Sequence, residues 1–242
     1  MRIDTLALQL RPRTMPEAAD LGVPLVHASA GSLLRTAGPV LLLVALLAAS
    51  TGSIASWLPS TIFWWLKPFV DRSILFVFSR SVFGERTRFA DLWRERRAIF
   101  WSGLALTLTV ARLSPWRSYV APVRQLEGLR GAAAKSRRLT LLRGNRGGAS
   151  LLAFTYANVE LVLALGIFSL LVWFTSDRLP MDDLKTFLNT PAGAATTVLL
   201  YAPIVAFVEP FFVGSGFAMY LNRRVRLEAW DIEQEFRRVF AR

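Results

Sequence analysis

Three long stretches of this chain are almost free of charge, and they constrain its fold more than any other feature. Residues 37–57 contain no charged side chain, and residues 151–174 and 196–219 contain one carboxylate each. At about 1.5 Å per residue, each stretch is long enough to cross a hydrocarbon core about 30 Å thick. The sequence therefore predicts an all-α, polytopic integral membrane protein.

Two further segments are apolar but ambiguous. Residues 62–83 are interrupted by charged side chains and by Pro68. Residues 98–111 are too few for an ordinary span, and their length is typical of a re-entrant or interfacial segment. If both segments are rearranged, a six-span topology is the alternative to four crossings.

The distribution of basic residues predicts the topology. Residues 111–150 carry nine Lys and Arg against one acidic residue, whereas residues 175–195 carry two against three. Because Lys and Arg are retained on the cytoplasmic side, the first region is expected inside and the second outside. The arginine-rich residues 86–97 are also expected inside, so 62–83 must cross. This gives four crossings with both termini cytoplasmic, and residues 1–35 form a cytoplasmic arm and helix.

The composition excludes several classes of function. With no cysteine and one histidine, the chain has no disulfide, thiolate metal site or cysteine nucleophile, and histidine-ligated zinc is disfavoured. No nucleophile elbow or phosphate-binding glycine loop is recognisable. We therefore predict a non-enzymatic protein without cofactor or metal. The net charge of +12 comes without a nucleic-acid-binding motif, so no nucleic acid partner is expected.

A basic amphipathic helix is predicted within residues 112–150. Val123, Leu126 and Leu129 recur at helical spacing, and the basic side chains between them are typical of a helix lying on an anionic leaflet. These charges act as a topology signal, as a lipid-headgroup site or as a protein-docking surface. The candidate lipid- or partner-binding residues are Arg124, Arg130, Lys135, Arg137, Arg138 and Arg143.

Residues 220–242 predict a second cytoplasmic amphipathic helix. Its apolar side chains step by three or four residues, and Arg224 and Glu228 have the i,i+4 spacing of a helical ion pair. Because its charges have mixed signs, we expect it to pack on this protein or to dock a partner. The candidate docking residues are Arg223, Arg224, Glu228, Trp230, Asp231 and Glu233.

A cluster of ionisable residues is predicted inside the spans. Its members are Lys67, Asp71, Arg72, Glu160 and Glu209. A charge at the membrane centre costs about 2.5–3.5 kcal/mol, so such residues face a partner or a wet cavity. Glu160 and Glu209 fall at similar depths, and we expect them to approach one another or to share Arg72. Pro203 and Pro210 predict a kinked or unwound helix beside them. The pattern fits structural pairing or, alternatively, a transport site.

Four segments resemble an uncharacterised group of bacterial inner-membrane proteins. They are WLKP to DR at 65–72, FGE at 83–85, QLEGL at 125–129 and, most specifically, LNRR to LEAWDIE at 221–233. Members of the group are encoded beside AAA+ ATPases, von Willebrand A-type proteins and transglutaminase-like membrane proteins. The resemblance implies the bacterial inner membrane and a subunit of a multi-protein envelope complex, with an AAA+ ATPase among its partners.

These observations predict a membrane scaffold that docks protein partners and anionic lipids through its basic cytoplasmic face. The competing prediction is a small transporter or lipid-handling protein that uses the intramembrane carboxylates. Glu160 and Glu209 distinguish the two predictions, because a transporter depends on them for flux and a scaffold does not.

Overall fold

The computed structural model of the protein describes residues 13–101, 108, 109, 112–176 and 180–228. Within these ranges the chain is helical and contains no strand, which confirms the predicted all-α class. The helices are α1 (Met15–Asp20), α2 (Gly22–Ser50), α3 (Leu58–Ser81), α4 (Phe89–Arg94), α5 (Arg96–Phe100), α6 (Arg117–Gln125), α7 (Gly131–Leu142), α8 (Arg146–Ser176), α9 (Met181–Leu188) and α10 (Pro191–Glu228), with a 3-10 turn at Thr51–Ser53.

Three helical segments are long and apolar enough to cross a membrane. They are Met15–Ser53, Arg146–Thr175 and Pro191–Glu228. The three apolar stretches of the sequence overlap these segments, which agrees with a membrane protein. Of the first stretch, 37–57, residues 37–50 belong to α2, which begins at Gly22 and ends at Ser50.

The charged helix α3 lies at the centre of the bundle. It packs along α2 and α10, and α6 crosses it on a further side. Phe63, Lys67 and Phe78 are almost fully buried, as are most residues between them. The charges that made residues 62–83 ambiguous therefore contact other parts of the protein.

The apolar helix α8 lies at the periphery. No residue of its most apolar window is buried, and Val162, Leu165 and Trp173 are largely exposed. It packs on α10 and, near its start, on α1. The most hydrophobic helix of the fold therefore presents its side chains outward, as a lipid-facing helix does.

Residues predicted as one helix over 123–143 belong to two helices. The chain turns between α6 and α7, where Gly128 and Gly131 have φ of +66° and +57°, a left-handed conformation that favours glycine. Tyr119 on α6 donates a hydrogen bond to the carbonyl oxygen of Leu141 on α7 at 3.0 Å. Burial raises the pKa of Tyr119 to about 12. Helix α6 is thus part of the core of the bundle.

Helix α10 includes parts of two helices that were predicted separately from the sequence. It continues from the predicted span 196–219 into the predicted amphipathic helix, and it remains helical through Pro203 and Pro210. The expected i,i+4 pair is present, with Arg224 Nη2 2.6 Å from Glu228 Oε2.

Two sequence predictions lie wholly or partly outside the described residues. Trp230, Asp231 and Glu233 fall beyond Glu228, and most of the predicted re-entrant segment 98–111 falls in the range that is not described. At the other end of the chain, Thr14 precedes α1 and makes no side-chain cap hydrogen bond.

Small residues allow close approach of helices around α10. A Cβ atom on Gly216 would lie 2.5 Å from the Cβ of Ser118, which belongs to α6. A Cβ atom on Gly22 would lie 2.4 Å from the backbone nitrogen of Ser215. These contacts bring α6 and the start of α2 against α10, and they determine where the polar side chains of α6 lie.

We expect Gly216→Ala to destabilise the protein by about 1–3 kcal/mol, because the added methyl overfills a packed contact. Thermal unfolding in detergent, followed by tryptophan fluorescence, should give a lower Tm than that of the wild type. Gly166→Ala is the matched control, since a Cβ there meets nothing within 4 Å. Equal Tm values for the two variants would contradict the proposed packing role of Gly216.

Candidate functional site

The ammonium group of Lys67 is shared by two carboxylates from different helices. Its Nζ lies 2.7 and 2.9 Å from the two carboxylate oxygens of Glu160 on α8. The same atom lies 2.9 Å from Oε2 of Glu209 on α10. Side-chain exposure is 3% for Lys67, 17% for Glu160 and 1% for Glu209. One cation from α3 thus connects three helices in a largely buried environment.

Arg117 is the second cation of the cluster. It is the first residue of α6, and its Nη2 donates to Oε1 of Glu209 at 2.8 Å. Its Nε lies 3.8 Å from Oδ2 of Asp71, and the guanidinium stacks over the ring of Phe212. Glu209, the most deeply buried carboxylate of the cluster, is therefore held between two cations.

Two further side chains complete the cluster. Tyr201 on α10 donates a hydrogen bond to Glu160. Arg112, in the turn before α6, donates to the carbonyl oxygen of Trp64 at 2.7 Å and stacks on its ring. Its Nε and Nη1 are buried and have no hydrogen-bond partner among the described residues. With Arg112 included, three cations face three carboxylates.

The cation that Glu160 and Glu209 share is Lys67, not Arg72. Glu160 and Glu209 are bridged by Lys67, and Arg72 is turned away from both. Its guanidinium donates to the carbonyl oxygens of Ile99 and Phe100 at 2.9 and 2.7 Å. Those oxygens belong to the end of α5, where the helix dipole favours a positive charge. Of the two expected arrangements, the sharing of Arg72 is therefore not observed, and the two glutamates instead meet at Lys67.

Arg112 and Arg117 were not among the residues predicted from the sequence, although charge balance was a usable signal. If Arg80 near a span end is set aside, the predicted spans contain Lys67 and Arg72 against three carboxylates, so a further cation is expected at depth. Both residues belong to 111–150, which was predicted to be a cytoplasmic region, so neither was expected to lie near the carboxylates.

A cavity of about 420 Å³ lies beside the cluster, between α3 and α8. Lys67, Glu160 and Glu209, together with Arg112 and Arg117, form its polar wall. The lining also includes small and apolar residues, among them Ala153, Ala157, Leu161 and Ala164 of α8 and Trp64 of α3. The volume is far above the 10–15 Å³ that one water molecule needs, so the cavity has room for a small polar group with an apolar substituent.

The predicted basic surface divides into three groups. Arg130, Lys135 and Arg143 are exposed. Arg124 and Arg138 are half-buried. Arg137 is used internally, because it binds Glu127 at 3.0 Å and Glu228 at 2.5 Å and so ties α7 to the end of α10.

The C-terminal candidates that are described also make internal contacts. Arg223 donates to the carbonyl oxygen of Arg143 at 3.2 Å. Arg224 pairs with Glu228 on its own helix. The polar groups of this helix end therefore stabilise this end of the bundle.

We expect Lys67→Met to cost about 3–5 kcal/mol, because it leaves buried carboxylates without their shared cation. Adding Glu160→Gln should restore most of this loss, since in the described part of the chain Glu160 forms an ion pair with Lys67 alone. Adding Glu209→Gln instead should not restore the loss, because the carboxylate paired with Arg117 is then removed and its next carboxylate, Asp71, lies 3.8 Å away. The measurement is the free energy of unfolding in mixed micelles. Equal rescue by the two second substitutions would contradict the arrangement.

The described residues contain no group of three His, Asp or Glu side chains placed to hold a metal ion. The cluster instead offers paired charges next to a cavity, an arrangement suited to holding helices together or to binding a polar group. Comparison with protein-family models, curated proteins and solved structures found no match.

Proposed function

We propose that this protein is a non-enzymatic scaffold of the bacterial inner membrane, a subunit of a multi-protein envelope complex. In this proposal α2, α3, α8 and α10 each cross the bilayer, both termini are cytoplasmic, and the basic cytoplasmic face docks partners. The bacterial inner membrane and the AAA+ ATPase partner come from the family resemblance.

The observation that carries the scaffold proposal is the internal pairing of the cluster. Lys67, Glu160, Glu209 and Arg117 bind one another at 2.7–2.9 Å and join four helices. Breaking such a pair leaves a buried charge, which costs about 3–5 kcal/mol. Because these four side chains are paired with one another, they hold the bundle together. A transport site, in contrast, must break and remake its contacts during each cycle.

The connection between α2 and α3 supports four crossings. Only residues 51–57 join these helices, and the two pack along one another, so they are antiparallel. At 24 residues, α3 is about 36 Å long, enough to span the hydrocarbon core. If α2 crosses outward, α3 returns, with its charges shielded by neighbouring helices.

The surface proposed for docking is the cytoplasmic side of α7 with residues 229–242. Arg130, Lys135 and Arg143 are exposed there, and each is worth about 1 kcal/mol toward an anionic leaflet. The exposed helix α8 offers a second, apolar surface to a membrane partner or to lipid.

Deleting residues 229–242 tests docking while every described residue is kept. The deletion retains Glu228 and therefore its contacts with Arg137 and Arg224. We expect the shortened protein to remain monodisperse with an unchanged Tm but to lose a co-purifying AAA+ ATPase after crosslinking in native membranes. Retention of the ATPase, or isolation of the full chain with lipid alone, would contradict the scaffold proposal.

The cavity between α3 and α8 favours a second candidate function, the transport or handling of a lipid or another amphiphile. Glu160 is the accessible carboxylate of its polar wall. If this function holds, Glu160→Gln should leave the protein folded and abolish amphiphile transfer between proteoliposomes. Glu85→Gln is the control, because Glu85 is exposed and pairs with Arg80 away from the cavity. Transfer equal to that of the wild type in the Glu160 variant would exclude this candidate.

A further inference from the structure

A second, smaller cavity lies on the other side of Arg112 and Arg117. It measures about 80 Å³ and is enclosed by α3, α6, α7 and the turn before α6. Its ionisable lining consists of five arginines and one carboxylate: Arg72, Arg112, Arg117, Arg124, Arg138 and Asp71.

The positive charge of this cavity is only partly compensated. Arg117 is paired with Glu209 and Asp71, and Arg72 binds the two carbonyl oxygens of α5. The guanidinium groups of Arg124 and Arg138 form no hydrogen bond or ion pair with any described residue. Burial and the neighbouring charge of Arg138 lower the pKa of Arg124. The cationic side chains therefore repel one another, and an anion between them would relieve this repulsion.

Unpaired hydrogen-bond donors line the same space. Arg112 is 5% exposed, and its Nε and Nη1 have no partner in the described part of the chain. The Nε of Arg138 is likewise buried without a partner. Leaving a buried donor unsatisfied costs about 1–3 kcal/mol, more when the group is charged. A planar guanidinium with free N–H groups matches the oxygen geometry of a phosphate.

Charge indicates which kind of phosphate fits. A phosphomonoester, with a second pKa of about 6, carries a charge of about −1.5 to −2 near neutral pH, and neighbouring arginines favour the dianion. A phosphodiester carries a single negative charge. Oδ1 of Asp71 and Oε1 of Gln125, which have no hydrogen-bond donor among the described residues, belong to the same lining. The excess of arginines therefore favours a monoester or inorganic phosphate.

The size of the cavity limits how much of a ligand enters. Its volume of about 80 Å³ has room for several water molecules, each needing about 10–15 Å³, or for one phosphate group. The half-buried Arg124 and Arg138 mark its accessible side, and both belong to the predicted cytoplasmic region. Any remaining part of a ligand must lie outside, toward the membrane surface.

We propose that this cavity is a binding site for a monoester phosphate group, supplied by inorganic phosphate or by the headgroup of a phosphatidic acid. The inference does not depend on the scaffold proposal, because it rests on the lining of this cavity alone. Recognition uses Arg112, Arg124 and Arg138 as donors.

The test measures binding to the full-length protein in phosphate-free detergent. The probes are inorganic phosphate by titration calorimetry, and short-chain phosphatidic acid and phosphatidylglycerol by shifts of Tm. The site variant is Arg124→Gln with Arg138→Gln, which leaves the ion-pair cluster intact. The matched control is Arg130→Gln with Lys135→Gln, which removes the same charge from exposed positions outside the cavity.

We expect the site variant to bind inorganic phosphate or phosphatidic acid at least about tenfold more weakly than the wild type, since charge-assisted hydrogen bonds are lost. The control should bind within about twofold of the wild type, because exposed charges contribute little. Binding of phosphatidic acid alone identifies a lipid headgroup as the source, and binding of inorganic phosphate identifies free phosphate. Equal loss in both variants, binding of phosphatidylglycerol as tight as that of phosphatidic acid, or no binding of any probe by the wild type would overturn the proposal.

Discussion

The structure depends on one ammonium group held between two carboxylates. Removing charges from water costs several kcal/mol per ion, and only close, fully paired geometry offsets that cost. Lys67 meets this requirement, with its Nζ within 3 Å of both Glu160 and Glu209. Because the three residues come from α3, α8 and α10, satisfying one cation also fixes the arrangement of three helices. Helix α8, which buries none of its most apolar window, relies on this polar contact more than the others do.

In a soluble protein, apolar helices are expected inside the fold and charged helices at its surface. The positions of α3 and α8 are the reverse of this. The helix with several charges lies inside the bundle, and the most apolar helix lies outside it. In a bilayer an apolar helix gains little by leaving lipid, since lipid tails are as apolar as leucine. A charged helix, in contrast, must be enclosed by partners. In the proposed four-span topology, the charges of α3 therefore determine which helix is central, and small residues such as Gly216 determine how closely its neighbours approach.

Hydropathy predicted the membrane class and three apolar stretches, and residue counting placed Glu160 and Glu209 at similar depths. Neither hydropathy nor residue counting predicts that α6 packs inside the bundle. This packing depends on the contact of Ser118 with Gly216, which leaves no periodic signal in the sequence. The turn between α6 and α7 was obscured for another reason. Apolar residues keep their helical spacing on both sides of Gly128, and only its left-handed backbone reveals the break.

The basic region 111–150 shows why net charge is a poor measure of surface attraction. Of its nine cations, Arg112 and Arg117 contribute to the buried cluster, Arg124 and Arg138 line the second cavity, and Arg137 binds two glutamates. The exposed ones are Arg130, Lys135, Arg143 and Arg146. At about 1 kcal/mol per charge, the leaflet attraction is then about 4 kcal/mol instead of about 9. Most of the charge that predicts this region's topology is therefore used to neutralise carboxylates inside the bundle and to create a cationic cavity at its edge.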